Sequence, residues 1–583
     1  MKQLRWAFAL TSLLFGVAVM LFFALFYPHH LHFQEQYQLF LFEQNYVCEV
    51  LSLPGGLADL IGRFFTQFFL YAWFGAFFIA FLLVCLQLLT YCLLRTRHTE
   101  PLSFVLSFAP SVLCCCFLCD ENALMSAPTA LLLVVSTTIL IEKIKADLLR
   151  QAIALISIPV IYQLAGAFAL LYGLVLIIRE IQKERTFQSL LCACLLLVVT
   201  LSTPAAWHHI INFDLKALYS GLHYYRDPAV FPLWAWLAAC AIPLFILLPQ
   251  RLRNWSPRHS VAVLLSGWTI ILLAGGMIVK TKYSQSQEDT MAYDFMARNA
   301  MWNRIQQKAE LHAPKNQVSA VALNLALAAK GMLCERMFEY PQNGLAGLLP
   351  NYATDCVSPL ATSEAFYRLG MINTAQRFVF EAQEAIPDFQ KSARCYKRLA
   401  ETNLINGSYE VARKYLFALQ KTIFYRDWAT QTLNLIADDA AVASHPEYGY
   451  LRSIKSSEDY FFGGNELHQI LIRQLQANPN NRMAFEYLEA ACLLAKDLER
   501  VTEYYTLSEP MGYETIPSAI QQAMLLQWSQ SHPASGAAPS YFQPAVVQGF
   551  KNFYSAMQVS NGNPETVKRS FGKTYWSYYF FHR

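Results

Sequence analysis

The chain has 583 residues, of which 55% are hydrophobic and only 15% charged, against about a quarter charged in a typical soluble protein. A net charge of +4, with no basic patch interleaved with aromatics, excludes nucleic acid as a partner. The 14 cysteines exclude a disulfide scaffold, because many lie inside apolar runs and the rest are widely spaced.

Apolar runs fill residues 4–280, and from Lys282 onward the balance is that of a soluble helical protein. Two domains are therefore expected, a membrane part over 1–282 and a second part over 283–583. A bilayer core about 30 Å thick needs about 20 apolar residues in a helix. Seven runs meet that length: 4–27, 64–94, 102–119, 123–141, 187–204, 231–248 and 259–279. The first starts behind Lys2 and Arg5 and ends in Leu-Phe-Tyr-Pro without a small-residue cleavage site, so it reads as an uncleaved anchor.

After it comes HHLHFQEQYQLFLFEQ, residues 29–44. Read as a helix over 33–52, it places Glu35, Gln38, Asn45 and Glu49 on one stripe, with Phe33, Tyr37, Phe40, Leu41 and Val47 away from it. The pattern predicts a helix lying in the membrane surface, broken at Pro54-Gly55-Gly56 and followed by a second helix, LADLIGRFF. Three readings of the polar face stay open. It is a solvated surface over an aromatic anchor. Alternatively it is a divalent-metal site, since His29 and His32, or His32 and Glu35, have three-residue spacing, with His208 and His209 as further ligands. Or it carries a catalytic carboxylate acting on a lipid-linked substrate. In that case Glu35 or Asp59 serves as base or metal ligand, while Arg63, Arg226 and Gln38 hold the substrate, the arginines through its phosphate.

Further along, Cys116 and Cys119 have Cys-x-x-Cys spacing but read as small apolar residues of a membrane helix. Run 151–178 carries Pro159, Gln163 and Gly166 in its middle and basic residues at both ends. It is expected to be a helical hairpin turning between Pro159 and Gly166. With that choice, Arg95, Arg97, Lys143, Lys145, Arg150, Arg179, Lys183, Arg185, Arg251, Arg253 and Arg258 all fall on the cytoplasmic side. The N-terminus is then cytoplasmic, the loops 28–63 and 205–230 are extracytoplasmic, and the last span exports 283–583, which in a bacterial cell means the periplasm. Apart from Gln67, Gln87 and Gln163, the spans lack the polar groups that mark ion pathways.

In the second part, YKRLAETNLINGSYEVARKYL (396–416) resembles a tetratricopeptide repeat: Tyr396, Leu399, Ala400, Gly407, Tyr409 and Ala412 fall in its register. Segments 370–387 and 479–505 fit less closely, and Trp302 with Ile305 and Leu323 with Gly331 look like partial copies. Such an array implies an α-solenoid that binds a protein or peptide. The expected fold is thus all-α, a polytopic bundle of about seven spans plus the hairpin, then a periplasmic solenoid.

FQEQYQLFLF, LPGGLADLIGRFFTQFF, LNLALAAKG, YPQNGLAGLLP and LAETNLINGSYEVARKYL together resemble an uncharacterised family of bacterial multi-pass membrane proteins with a repeat-like C-terminus. The layout also resembles membrane glycosyltransferases of the GT-C type, which implies a polyprenyl-phosphate-linked donor and a loop acid just after the first helix. Here Tyr27-Pro28-His29-His30 occupies that position and the first acid is Glu35. Two functions follow as expectations: a transferase acting on an acceptor held by the repeats, or a non-enzymatic scaffold for envelope proteins.

Overall fold

The computed structural model describes residues 2–95, 100–182, 187–248, 257–349, 358–387, 390–456, 467–532 and 538–582. Arg97, Lys183, Arg185, Arg251, Arg253, Cys356 and the side chain of Arg258 lie outside the described residues. The chain divides into two compact units. The first is Met1–Glu288 with Pro387–Ala393 and Lys421–Phe424; the second is Asp289–Ile386, Arg394–Gln420 and Tyr425–Arg583.

In the first unit the helices are α1 (Lys2–Phe26), α2 (Pro28–Glu35), α3 (Gln44–Ser52), α4 (Gly56–Thr66), α5 (Ala72–Leu94), α6 (Glu100–Leu106), α7 (Phe108–Leu118) and α8 (Ser126–Glu142). They continue as α9 (Asp147–Ala165), α10 (Ala169–Ile181), α11 (Phe187–Ile210), α12 (Leu215–Ser220), α13 (Leu233–Leu247) and α14 (Pro257–Lys282). Among the described residues, six helical stretches are long and apolar enough to cross a membrane, while Ser126–Glu142 and Leu233–Leu247 are shorter apolar helices. The outward faces are apolar too: Leu13 is 63%, Phe77 50% and Leu272 70% exposed. Helices apolar all round suit a lipid solvent. Inside, Ser12 donates to Gln87 Oε1 and the Gln87 amide donates to Ser107, both at 2.8 Å. Gln87 therefore ties helices together instead of marking an ion path.

Two expectations about this unit change. No continuous helix covers 33–52. α2 stops at Glu35, residues 38–43 run without helix, and α3 starts at Gln44. The predicted water-facing stripe is also split, because Glu35 and Gln38 are buried whereas Asn45 and Glu49 are exposed. Tyr37 and Phe40, expected on the apolar anchoring face, are buried, and so is Leu39 between them. The helical period read over 33–52 therefore has no single helix behind it, since 36–43 lie between α2 and α3. The run 64–94 is likewise interrupted, by a 3₁₀ turn at Gln67–Leu70 and the extended Tyr71.

The apolar stretch Asp147–Ile181, 35 residues long, is a hairpin. Gln151 Nε2 donates to Glu180 Oε2 at 3.0 Å, and the Ser157 and Tyr172 hydroxyls are 2.7 Å apart. The helix continues through Pro159 and turns at the far edge of the expected window, where Gly166 has φ +72°. A φ of that sign favours glycine.

The second unit holds α15 (Gln285–Arg298, from Asp289 on), α16 (Trp302–Leu311), α17 (Gln317–Ala329), α18 (Leu333–Arg336), α19 (Ser358–Arg368), α20 (Ile372–Glu384), α21 (Ala393–Ile405, from Arg394) and α22 (Tyr409–Gln420). After them come α23 (Arg426–Leu435), α24 (Asp439–Ser444), α25 (Tyr448–Ile454), α26 (Leu467–Ala477) and α27 (Arg482–Ala495). The last are α28 (Leu498–Tyr504), α29 (Ser518–Ser531), α30 (Pro544–Val559), α31 (Pro564–Phe571) and α32 (Tyr575–Phe581). α17 is enclosed on every side, with residues 319–328 all buried and Asn324, its buried amide, donating to Gln342 Oε1 and Gly347 O.

One turn recurs. At Ala300, Gly331, Gly370, Gly407, Lys496 and Asn561 the backbone takes φ between 48° and 82°. At each, that residue's amide bonds the carbonyl three back, and the next amide bonds the carbonyl five back. Examples are Gly407 to Leu404 (3.0 Å) with Ser408 to Asn403 (2.8 Å), and Lys496 to Leu493 (3.1 Å) with Asp497 to Cys492 (3.0 Å). This is the Schellman helix stop, which satisfies otherwise orphaned carbonyls. It joins α15 to α16, α17 to α18, α19 to α20, α21 to α22, α27 to α28 and α30 to α31. Small residues at the expected positions are buried, Ala400 and Ala412 completely. Asn481 caps α27 by accepting from Ala484 N at 3.1 Å.

Candidate functional site

Three irregular segments of the first unit meet at one end of α8. The Pro54-Gly55-Gly56 break abuts the hairpin tip: a Cβ on Gly55 (φ +78°) would stand 3.3 Å from Gly166 Cα. Gly55 N donates to the carbonyls of Tyr162 (3.1 Å) and Gln163 (3.0 Å), and Gln163 Nε2 donates to the carbonyls of Leu51 (2.6 Å) and Leu53 (3.1 Å). The third segment, 215–226, closes the ring. The Tyr224 hydroxyl donates to Ala165 O at 2.5 Å and accepts from Phe168 N at 3.0 Å, while Tyr162 Oη donates to Leu218 O at 2.9 Å. Gln163, inside the last turn of α9, supplies partners to backbone that a low-dielectric interior would otherwise leave unpaired.

Charged groups lie beside this knot. Asp59 and Arg63 are one turn apart on α4, with Nη2 2.7 Å from Oδ2. Arg63 Nη1 reaches the Tyr46 hydroxyl at 3.4 Å, and His223 Nδ1 stands 3.9 Å from the same Asp59 oxygen. Only 1% of Asp59 and 3% of His223 is exposed. Gly62 lets α4 come this close to α8, since a Cβ there would fall 2.7 Å from Ser126 N. The Ser126 hydroxyl in turn donates to His223 O. Burial lowers the His223 pKa, Arg63 adds to that and Asp59 works against it. Burial also disfavours the Arg63 charge, but Asp59 and then Tyr46 hold its pKa above the usual guanidinium value.

Arg226 belongs to a neighbouring layer. Its guanidinium carbon lies 4.0 Å from the Tyr37 ring centre and 5.0 Å from that of Phe33, and Nη2 donates to Glu121 O at 3.2 Å. The segment around it is fixed by an antiparallel bridge between Ala123 and Tyr225. Gln34 Nε2 donates to Ala123 O at 2.9 Å, and the Tyr225 hydroxyl donates to the Asp120 carboxylate. The Glu288 carboxylate caps the start of α2, accepting from His29 N (2.7 Å) and His30 N (3.1 Å). Burial pushes the His30 pKa down to about 3.

The five proposed binding and catalytic residues Glu35, Gln38, Asp59, Arg63 and Arg226 are all buried. Asp59 and Arg63 are paired with each other, Arg226 is stacked on rings, and Glu35 and Gln38 are buried. His29 and His32 approach each other, Nδ1 to Nδ1 at 3.4 Å. Among the described residues no group of three or more His, Cys, Asp or Glu side chains is placed to hold a metal. His208 Nδ1 instead lies 2.8 Å from Phe213 O. Sequence reasoning missed Tyr46, His223 and Tyr224. The available signal was GLHYYRDP (221–228), a polar aromatic cluster in a long loop from which the sequence reading took up Arg226 but not His223 or Tyr224; Ala229 N donates to Asp227 Oδ1 at 2.9 Å just after it.

No curated protein and no solved structure matches the chain. A family model does match, over residues 2–582, and its description is a family of unknown function, DUF6057. The chain belongs to the DUF6057 family.

Proposed function

We propose that this is an inner-membrane protein whose second unit is a periplasmic helical-repeat domain of tetratricopeptide type, and that it works by binding a periplasmic protein or peptide. The observation that carries the reading is the recurring turn. Six helix pairs are closed by the same two hydrogen bonds around a positive-φ residue, at 300, 331, 370, 407, 496 and 561. Stacked pairs of that kind build extended binding surfaces. The periplasmic placement rests on the Lys and Arg distribution, with Lys143, Lys145, Arg150 and Arg179 at the ends of the hairpin and its neighbours.

The transferase reading, with a polyprenyl-phosphate-linked donor, asks Glu35 or Asp59 to act on substrate and Arg63 or Arg226 to hold phosphate. Asp59 and Arg63 already neutralise each other in a buried pair, and Arg226 is engaged by two rings and a carbonyl. With these groups already engaged by their neighbours, binding without chemistry has the stronger support.

The test is photo-crosslinking in living cells from the exposed Phe380, Phe417 and Tyr450, together with Glu35→Gln complementation of a deletion. The expected result is a defined envelope-protein adduct from the second unit, with full complementation at normal protein level. No adduct from any site, or loss of complementation by a normally abundant Glu35→Gln protein, overturns the reading.

A further inference from the structure

In the second unit, residues 484–494 of α27 are all buried. The helix is packed by α17, α18, α26, α28, α29 and the 3₁₀ turns Gly344–Gly347 and Tyr505–Met511. Two acids on it, Glu486 and Glu489, meet opposite surroundings. The Glu486 carboxylate accepts from Leu333 N (2.8 Å), Arg482 Nε (3.1 Å) and the Tyr513 hydroxyl (3.1 Å). Glu489 is 0% exposed, and neither of its oxygens has a hydrogen-bond partner among the described residues.

No cation answers it either. Of the elements packed on α27, α17, α29 and Gly344–Gly347 carry no titratable side chain. Arg336 on α18 pairs with Glu339, Arg500 on α28 with Asp497, and Arg482 on α27 itself with Glu486. On α26, Arg473 is exposed and His468 half-buried, and neither pairs with Glu489. The remaining acids of these elements, Glu335, Glu499, Glu503 and Glu509, bear the same sign as Glu489. The groups that feel its charge are Cys334 on α18, Cys492 on α27 and Tyr505, and burial keeps all three protonated. Burial alone likewise raises the Glu489 pKa well above the ordinary carboxylate value.

An ionised carboxylate without a donor at low dielectric is costly, and such a group takes up a proton instead. Once α27 opens to solvent, the same group returns to its usual value of about 4.3. Between those two values the closed form binds one proton more than the open form. The closed form is therefore favoured by acid and loses up to about tenfold in population per pH unit as pH rises.

We infer that Glu489 is a proton-operated latch: with its carboxyl protonated α27 stays sealed in the core, and loss of that proton releases the helix toward solvent. The latch belongs to the second unit by itself, whatever partner that unit binds and whichever side of the membrane it faces.

The test uses the full chain in detergent. Hydrogen exchange is followed by mass spectrometry at pH 5.5, 6.5 and 7.5 for the wild type, Glu489→Gln and Glu489→Met. Glutamine keeps the shape without the charge, and methionine removes the polarity as well, so either variant reads the latch if the other fails to fold. Dividing the wild-type rate by the variant rate at one pH removes the intrinsic pH dependence of exchange. For α27 peptides that ratio is expected to rise by about tenfold or more from pH 5.5 to 7.5, and for peptides of the α9–α10 hairpin to stay constant. The wild type alone carries the same readout, as α27 exchange rising by that factor relative to α9–α10. A ratio for α27 that stays flat with pH, or one that rises equally in α9–α10, overturns the latch.

Discussion

Asp59→Asn keeps the size of the side chain and removes its charge, leaving Arg63 buried without its counter-ion. At the 2.7 Å separation of the pair, Coulomb attraction at an effective dielectric of 20 is ~6 kcal/mol. Part of that is offset by desolvation, and breaking one partner of a buried pair costs about 3–5 kcal/mol. Removing both charges, as Asp59→Asn/Arg63→Met, restores neutrality and is expected to recover most of the loss, to within about 1 kcal/mol of wild type. Thermal unfolding of the detergent-solubilised protein, followed by tryptophan fluorescence, reads both variants. If Asp59→Asn unfolds with the wild type while losing complementation, Asp59 is a reacting group, and the assignment of the pair to the loop knot is wrong.

Other consequences are smaller but separable. His30 has its pKa lowered to about 3 by burial, so its contribution is present above the unfolded value near 6.5 and lost as pH falls below it, about 2–3 kcal/mol by pH 4.5. Melting curves at pH 7 and 4.5 should therefore diverge more for wild type than for His30→Gln. Gly407→Ala meets nothing within 4 Å but must hold φ +77°, and should destabilise by about 1 kcal/mol, whereas Ala300→Gly at φ +53° should stabilise by a similar amount; denaturant titration compares them. Tyr224→Phe leaves Ala165 O and Phe168 N short of a partner and should cost about 1–3 kcal/mol, seen as faster hydrogen exchange at the hairpin tip.

Apolar run length was enough to read most of the long apolar helices, because such segments pair their own backbone. Runs 123–141 and 231–248, however, gave the shorter helices Ser126–Glu142 and Leu233–Leu247. The hairpin was legible from Gly166 and the basic residues at both ends. The recurring turns were visible wherever glycine marked them, at 331, 370 and 407, but not at Ala300 or Asn561, where another residue bears the strain. The loop between α1 and α5 was the least legible part. A helical stripe there assumes one environment along the segment, whereas 36–43 leaves the helix and buries Gln38, Leu39 and Phe40. Asp59 and Arg63 could be named from α4 alone, but His223, more than 150 residues away, joins them only through tertiary packing.

The central claim is that the second unit is a periplasmic repeat domain held on a membrane bundle, and its side of the membrane is the most direct point of test. Val559 is 89% exposed, so Val559→Cys offers an accessible thiol on that unit in a background with Cys48, Cys194 and Cys240, the exposed cysteines among the described residues, and Cys356 changed to Ser. In intact spheroplasts a membrane-impermeant maleimide should label it fully before lysis, while Lys143→Cys in the same background reacts only afterwards. Protection of Val559→Cys until lysis would contradict the account.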